Sequence, residues 1–445
     1  MPLFPETSMR PMPDMTAEMT APPPLRIDPA RLQAMMEAVS AFGGGADGAL
    51  TRLTLSPEDG QARDWLAAWF AAHGFTQKID AIGNQFGVLD LAGPGAPTVM
   101  VGSHLDSQPN GGRFDGTLGV LAACEAILSV RDSLAASRTI SACTFAVANW
   151  TNEEGARFQP SLLGSSVFTG AAGLDWALER RDGDGVTVAE ALLRIGYAGG
   201  DVVPVPDAFL ELHIEGGPIL EREGLRFGAF TRYWGATKYR LAFLGRQAHT
   251  GPTPMAERRD ALLGAAYLIA DLKAMTADYG LDLHTSVGRL EVRPNSPNTV
   301  PSEAVLFIEL RSGSPAILEE AELRLKAAID LACARAELGH EVRAIDRRAA
   351  GPMAPGLVRL AERAAAAKGT PARHLDTIGG HDAVSLSAVC PSVVLAVPCR
   401  GGVMHHPTEF ASPQDQAFGT QVLADMLMIL ATEGVAAIET GGEGR

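Results

Sequence analysis

Cysteine is scarce in this chain: five in 445 residues, odd in number, scattered and without a Cys-x-x-Cys pair. That excludes a disulfide framework and a thiolate zinc site, and leaves buried, reduced thiols of the kind a cytoplasmic protein carries. Positive charge is also short. Lys and Arg number 37 against 52 Asp and Glu, a formal charge of −15, so the basic face that a nucleic-acid partner requires is missing. The same shortage removes the polybasic segment that anionic membranes attract. No run approaches the roughly 18 apolar residues of a membrane span; "GVLAACEAILSV" comes nearest and is interrupted by Glu125. The first 24 residues, rich in Pro and Met, lack the apolar core of a signal peptide. They are expected to be a disordered arm on a cytoplasmic chain. No internal repeat stands out.

What is present is the composition of a soluble globular protein, 46% apolar and 20% charged, long enough for two or three domains. From residue 27 to about 150, strand-like runs ("NQFGVLDLAG", "PTVMVGSH", "ISACTFAVANW") alternate with helical ones ("ARLQAMMEAVSAF", "DGQARDWLAAWFAAHGF", "GTLGVLAACEAILSV"). Alternation of this kind implies an α/β fold, a mainly parallel sheet with helices on its faces. Residues 224–350 read instead as strand, helix, strand, strand, helix, strand, the ferredoxin-like βαββαβ order. α/β character then returns through "APGLVRLAERAAAAKG", "SVVLAVP" and a helix near 413–433. The expected organisation is a discontinuous catalytic domain, 25–223 and 351–440, interrupted by an inserted domain over 224–350.

The stretch "VGSHLDSQPNGGRFDGTLG" (101–119) sets His104, Asp106 and Asp115 among five glycines. Glycine admits turns that other residues resist, so this backbone is suited to fold closely around a charged group; alone, it also suits an ordinary strand-to-helix turn. Parallel sheets offer ligands at the carboxyl ends of their strands, and three strand-like runs deliver candidates there. His104 follows "TVMV", Glu153 and Glu154 follow "TFAVANW", and His213 ends "AFLELH". With a C-terminal histidine from the pair His405/His406, these make a mixed imidazole and carboxylate set suited to zinc, manganese, cobalt or nickel. One carboxylate can bridge two ions, as in many amide-cleaving hydrolases. Adjacent glutamates on an extended strand point opposite ways; in a loop, one can bind metal while the other acts as general base. Asp106 is placed to orient His104.

Seven motifs, "GSHLDS…GGRFDG", "NEEGARF", "ELHIEGGPILE", "AHTGPTPM…RRDA", "PNSPNTVP…ELR", "GGHDA" and "GVMHHPTE", occur in one order across residues 27 to 435. In this the chain resembles the N-carbamoyl-L-amino-acid hydrolases and allantoate amidohydrolases, a branch of the two-metal aminoacylases, dipeptidases and carboxypeptidases. The resemblance implies a homodimeric enzyme holding two divalent ions, zinc first, with manganese, cobalt or nickel in its place. His104, Asp115, Glu154, His213 and His405 would be the ligands, with Asp115 as the bridge. Glu153 would be the general base and Asp106 its supporting carboxylate. His249 would polarise the scissile carbonyl of the partner's substrate. Asn298 and Arg311 would bind the substrate carboxylate, with Gly216 and His381 at substrate-contacting positions, and the inserted domain would be the dimerisation lid. Three departures from the family pattern stand out. Gly216 replaces a glutamine, "AHTG" replaces "NHAG", and "MHHP" replaces "SHNP" or "SHSP". An aminoacylase or dipeptidase acting on an ordinary amide is the neighbouring expectation, and a non-catalytic binding protein would have to show a lost ligand or base; neither is lost.

Overall fold

The computed structural model describes residues 25–45 and 47–439; the expected arm over residues 1–24 lies outside the described residues. One large mixed sheet organises the chain. Thr76–Ile79, Gln85–Leu89, Thr144–Trp150, Thr98–His104, Ala208–Ile214, Ser392–Val397 and Gly228–Tyr233 lie side by side, and Gly351–Pro352 and Arg373–Thr377 both pair with the last of these. The four central strands, from Thr144–Trp150 to Ser392–Val397, are parallel; the flanking pairs are antiparallel except Arg373–Thr377, which runs parallel to Gly228–Tyr233. The centre is buried on both faces, as "TFAVANW" and "AFLELHI" show along their whole length. That is why these segments read as continuous apolar runs. Helix Thr117–Ser137 packs between the sheet and the closing helix Pro413–Glu433, which explains why it is apolar nearly all round. Four helices start with a side-chain cap followed by proline, on Asp28, Ser56, Ser314 and Ser412.

Residues 235–348 leave the large sheet and build a second, four-stranded antiparallel one. Its order is Gly339–Arg348, Gly235–Leu244, Glu303–Ser312, His284–Arg293, the 4-1-3-2 arrangement of a ferredoxin-like unit. Helices Ala261–Met275 and Pro315–Ala336 cover one face around Tyr239, Leu241, Phe243, Leu268, Ile308 and Leu325, an apolar cluster separate from that of the large sheet. The second sheet begins later than the expected boundary at 224: Gly228–Tyr233 pairs with Ser392–Val397 and Arg373–Thr377 in the large sheet.

Candidate active site

Parallel register sets the site. His104 pairs with Trp150, and His213 with Ala396, so His104, the turn carrying Glu153 and Glu154, and His213 emerge along one edge. The turn after Trp150 uses positive φ at Asn152 and Gly155. Asp106 fixes it: its two carboxylate oxygens accept from the Glu153 and Glu154 N–H groups, each at 3.3 Å. His104 is oriented by a different atom from the one expected. Its Nδ1 lies 2.9 Å from the Asp106 backbone oxygen and 3.6 Å from the carboxylate, so Asp106 serves the histidine through its carbonyl and the glutamates through its side chain.

The glycines of 101–119 now have a use. A Cβ on Gly116 would stand 2.3 Å from the His104 ring, and one on Gly112 2.1 Å from the Glu409 carboxyl carbon; only bare backbone fits either place. Through the gap at Gly112, Glu409 Oε1 accepts from the Phe114 and Asp115 N–H groups at 2.9 and 3.0 Å. Its Oε2 accepts from the His405 N–H at 3.3 Å. Burial, then the nearby Asp115, pushes its carboxyl up to about 7.

Asp115 is the centre. His213 Nε2 is 2.9 Å from one of its oxygens and His405 Nε2 is 3.0 Å from the other, with His104 Nε2 at 3.7 Å. Two three-donor groups share it, His104–Asp115–His213 and Asp115–Glu154–His405, the donor atoms of each lying within 4.8 Å of one another. Asp115 Oδ2 is buried and, despite the neighbouring imidazole, accepts no well-aligned hydrogen bond. Imidazoles and carboxylates turned toward one point, with a buried oxygen left over, fit divalent transition metals. Burial opposes ionisation of Asp115, but His213, His405 and His104 outweigh it and hold the carboxyl well below the usual range. For His213, burial is likewise outweighed by Asp115, raising it to about 9, and for His405 by Asp115 and Glu154, to about 11. A third group, Glu211–His213–His381, is a brace: the Glu211 oxygens accept from Ser103 Oγ at 2.7 Å and the Ala383 N–H at 2.9 Å.

The two glutamates diverge. Glu154 turns to His405 at 3.3 Å and is steadied by Gln108 Nε2 at 2.9 Å. Glu153, 7% exposed, lies 3.5 Å from His104 Nε2. Burial first, then Asp382, Glu154, Asp115 and Asp106, raise its carboxyl well above the usual range. Of the histidine doublet, His405 faces Asp115, while His406 Nδ1 bonds Thr408 Oγ1 at 2.8 Å. His405→Ala is therefore expected to lower metal occupancy and His406→Ala to leave it intact, as elemental analysis would read. His381 is buried edge-on against the His213 ring, centroids 4.6 Å apart, and burial followed by His213 keeps it neutral. Gly216, at φ +65°, has space beside it taken by Met404, whose Sδ would be 3.0 Å from a Cβ there.

The remaining candidates divide between two ends of the second sheet. Arg311 reaches the Ile378 carbonyl and bonds Glu309 at 2.9 Å, beside the loop leading to His381. His249 is exposed and pairs with Thr299, next to Asn298, and none of its hydrogen bonds reaches the Asp115 cluster. The chain does turn after Asn298, but Glu303–Ser312 then runs straight. It carries Arg311 roughly 25 Å away at about 3.3 Å per residue. Asn298 and Arg311 of one chain therefore do not meet over one carboxylate, contrary to expectation. Glu409 and Asp382 were not singled out as site residues by their sequence. Asp382 is fully buried with neither oxygen hydrogen-bonded, and burial followed by Glu211 raises its carboxyl well above the usual range.

An aspartate shared by two ligand groups, with a desolvated glutamate beside them on the carboxyl edge of a parallel sheet, defines a metal-binding hydrolase. The chain belongs to peptidase family M20/M25/M40, whose profile matches residues 100–429. It is 34% identical over 400 residues to N-carbamoyl-L-amino-acid amidohydrolase of Rhizobium meliloti, covering 89% of this chain and 95% of that one. It is 30% identical over 404 residues to allantoate amidohydrolase of Bacillus subtilis strain 168, covering 89% and 96%. The crystal structure of a hydantoinase/carbamoylase family amidase from Burkholderia vietnamiensis matches with a TM-score of 0.88 at 36% identity, covering 93% of this chain and 99% of that one. Within its family the chain is thus an enzyme that hydrolyses C–N bonds other than peptide bonds. Among the described residues no helix is long and apolar enough to cross a membrane.

Proposed function

We propose that this enzyme cleaves the carbamoyl (ureido) C–N bond of small carboxylates, N-carbamoyl-L-amino acids or allantoate-like compounds. The observation that carries the reading is Asp115 shared between His104–His213 and Glu154–His405, which suits two ions and one bridge. Divalent ions bound there supply polarisation of the carbonyl and a water acidified toward neutrality. The chain's own residues do the rest. Glu153 takes a proton from the attacking water as its oxygen bonds the carbonyl carbon. It then returns that proton to the leaving nitrogen as the C–N bond breaks. The products are a free amine and a carbamate, which decays to carbon dioxide and ammonia. Asp106 holds Glu153 and Glu154 in place throughout.

Ammonia release from N-carbamoyl-amino acids and allantoate, set against amine release from N-acetyl-amino acids, tests the reading; turnover of the acyl series alone would overturn it. Gly216 favours that second reading, an aminoacylase, because it brings no side chain to the acyl group. Five free cysteines support a reducing, cytoplasmic setting.

The second sheet acts as lid and dimerisation unit. Exposed His249 and Asn298 serve the partner's site, since their end of the sheet lies far from Arg311. Mixing His249→Ala with Glu153→Gln chains should then restore part of the activity lost in each, because mixed dimers hold one intact site; no recovery after proven subunit exchange would refute the arrangement. Arg311 presents a planar fork to the substrate carboxylate. Arg311→Lys should lower kcat/KM for a free acid by about 1.5–3 kcal/mol and narrow its advantage over the amidated substrate, measured by steady-state kinetics.

A further inference from the structure

The face of the second sheet turned away from its two helices carries an arrangement that the sequence motifs do not point to. Arg311 and Arg348 both pair with Ala236, one from each neighbouring strand. Directly paired residues share a face, so the two arginines stand on either side of Ala236, with Cα atoms roughly 10 Å apart at about 4.8 Å per strand. Ala236 is small and only 3% exposed. The next row on the same face is Asp346, Lys238, Glu309, acid–base–acid. The two rows together hold three cations and two anions, one negative charge short of balance.

Arg348 is not satisfied by protein alone, and the Arg311 side chain keeps a quarter of its surface exposed. Arg348 Nε is buried without a hydrogen-bond partner, and its Nη2 reaches the Trp234 and Gly379 carbonyls only at 3.4 Å each. Arg311 spends one nitrogen on Ile378 and another on Glu309. Both point at the loop of residues 378–380, which leads into His381 and so to the His213 ligand. Two cations held this close repel each other, and an anion between them removes that cost. Arginine forks fit a carboxylate in particular.

We infer that the substrate carboxylate lies over Ala236 between Arg311 and Arg348, so that Arg348 is a second substrate-binding arginine. The inference rests on the proposed reading that the substrate is a carboxylate. It assigns to Ala236 the floor of the subsite: any larger residue there enters the space of the anion.

The test compares an N-carbamoyl-amino acid with its C-terminal amide on the metal-loaded enzyme and on Arg348→Gln, recording kcat and KM separately. Arg348→Gln should raise KM for the acid at least tenfold and cut the acid-to-amide ratio of kcat/KM by a similar factor. Arg348→Lys should shift the ratio in the same direction by less. Calorimetric binding of the acid to the Glu153→Gln protein, with and without Arg348→Gln, should show the same loss without turnover. A brace for the loop would depress acid and amide together; an unmoved ratio therefore overturns the inference while leaving the hydrolase reading in place. Failure of the wild type to act on any N-carbamoyl acid overturns both. If Arg348→Gln does not fold, Ala236→Val serves instead, since it fills the floor without removing charge. It should lower the ratio, and an unchanged ratio there is equally fatal.

Discussion

Glu153→Gln is expected to lower kcat by about 10²–10⁴-fold, the range for a lost acid–base group, while the metal content stays near that of the wild type. The substitution keeps the shape of the side chain and removes only its capacity to take a proton. Glu153 is singled out by environment. It is buried, it sits 3.5 Å from His104 Nε2, and burial together with Asp382 and Glu154 raises its affinity for a proton. A carboxyl shifted upward in this way is matched to accepting a proton near neutrality and giving it back. Glu154 differs, lying against His405 and bonded by Gln108. Glu154→Gln should therefore lower metal content as well as turnover. The opposite pattern, metal lost with Glu153→Gln and kept with Glu154→Gln, would exchange the two roles.

Prolonged chelation should abolish turnover, and added Zn²⁺, Mn²⁺, Co²⁺ or Ni²⁺ should restore it. The physical ground is the crowding of Asp115, Glu153 and Glu154 around three imidazoles with Asp115 Oδ2 left unbonded. Ions that bind the folded site and not the unfolded chain also stabilise it by mass action. The melting temperature should accordingly fall on chelation and recover with the metal. Full turnover by protein shown to be metal-free by elemental analysis would end this reading.

Much of this was legible in the sequence, because burial on both faces makes a strand apolar throughout: "TFAVANW" and "SVVLAV" mark themselves. Polar edge strands do not. Thr76–Ile79 and Arg373–Thr377 carry no pattern, since one side of each faces solvent or loop. His104, Glu154 and His213 were visible by residue type and by their place after strands, and Asp115 by its glycine-rich setting, while the choice of His405 over His406 came from the family resemblance. Arg348 was not visible, because it ends the charged run "HEVRAIDRR", and its significance comes from register across two strands. Asn298 and Arg311, which the family resemblance assigns to one carboxylate, are kept apart within one chain by the strand Glu303–Ser312, a separation that the motif spacing alone does not display.

The Glu409 contact ties two loops separated by 294 residues, and this has a consequence for biogenesis. During synthesis the ribosome releases Asp115 long before Glu409, so the backbone carrying the central aspartate lacks its clamp until the chain is nearly complete. His405 arrives with that same late segment. A chain ending before residue 405 would carry His104, Asp115 and His213 but lack both His405 and the Glu409 clamp, so that one of the two ligand groups around Asp115 stays incomplete.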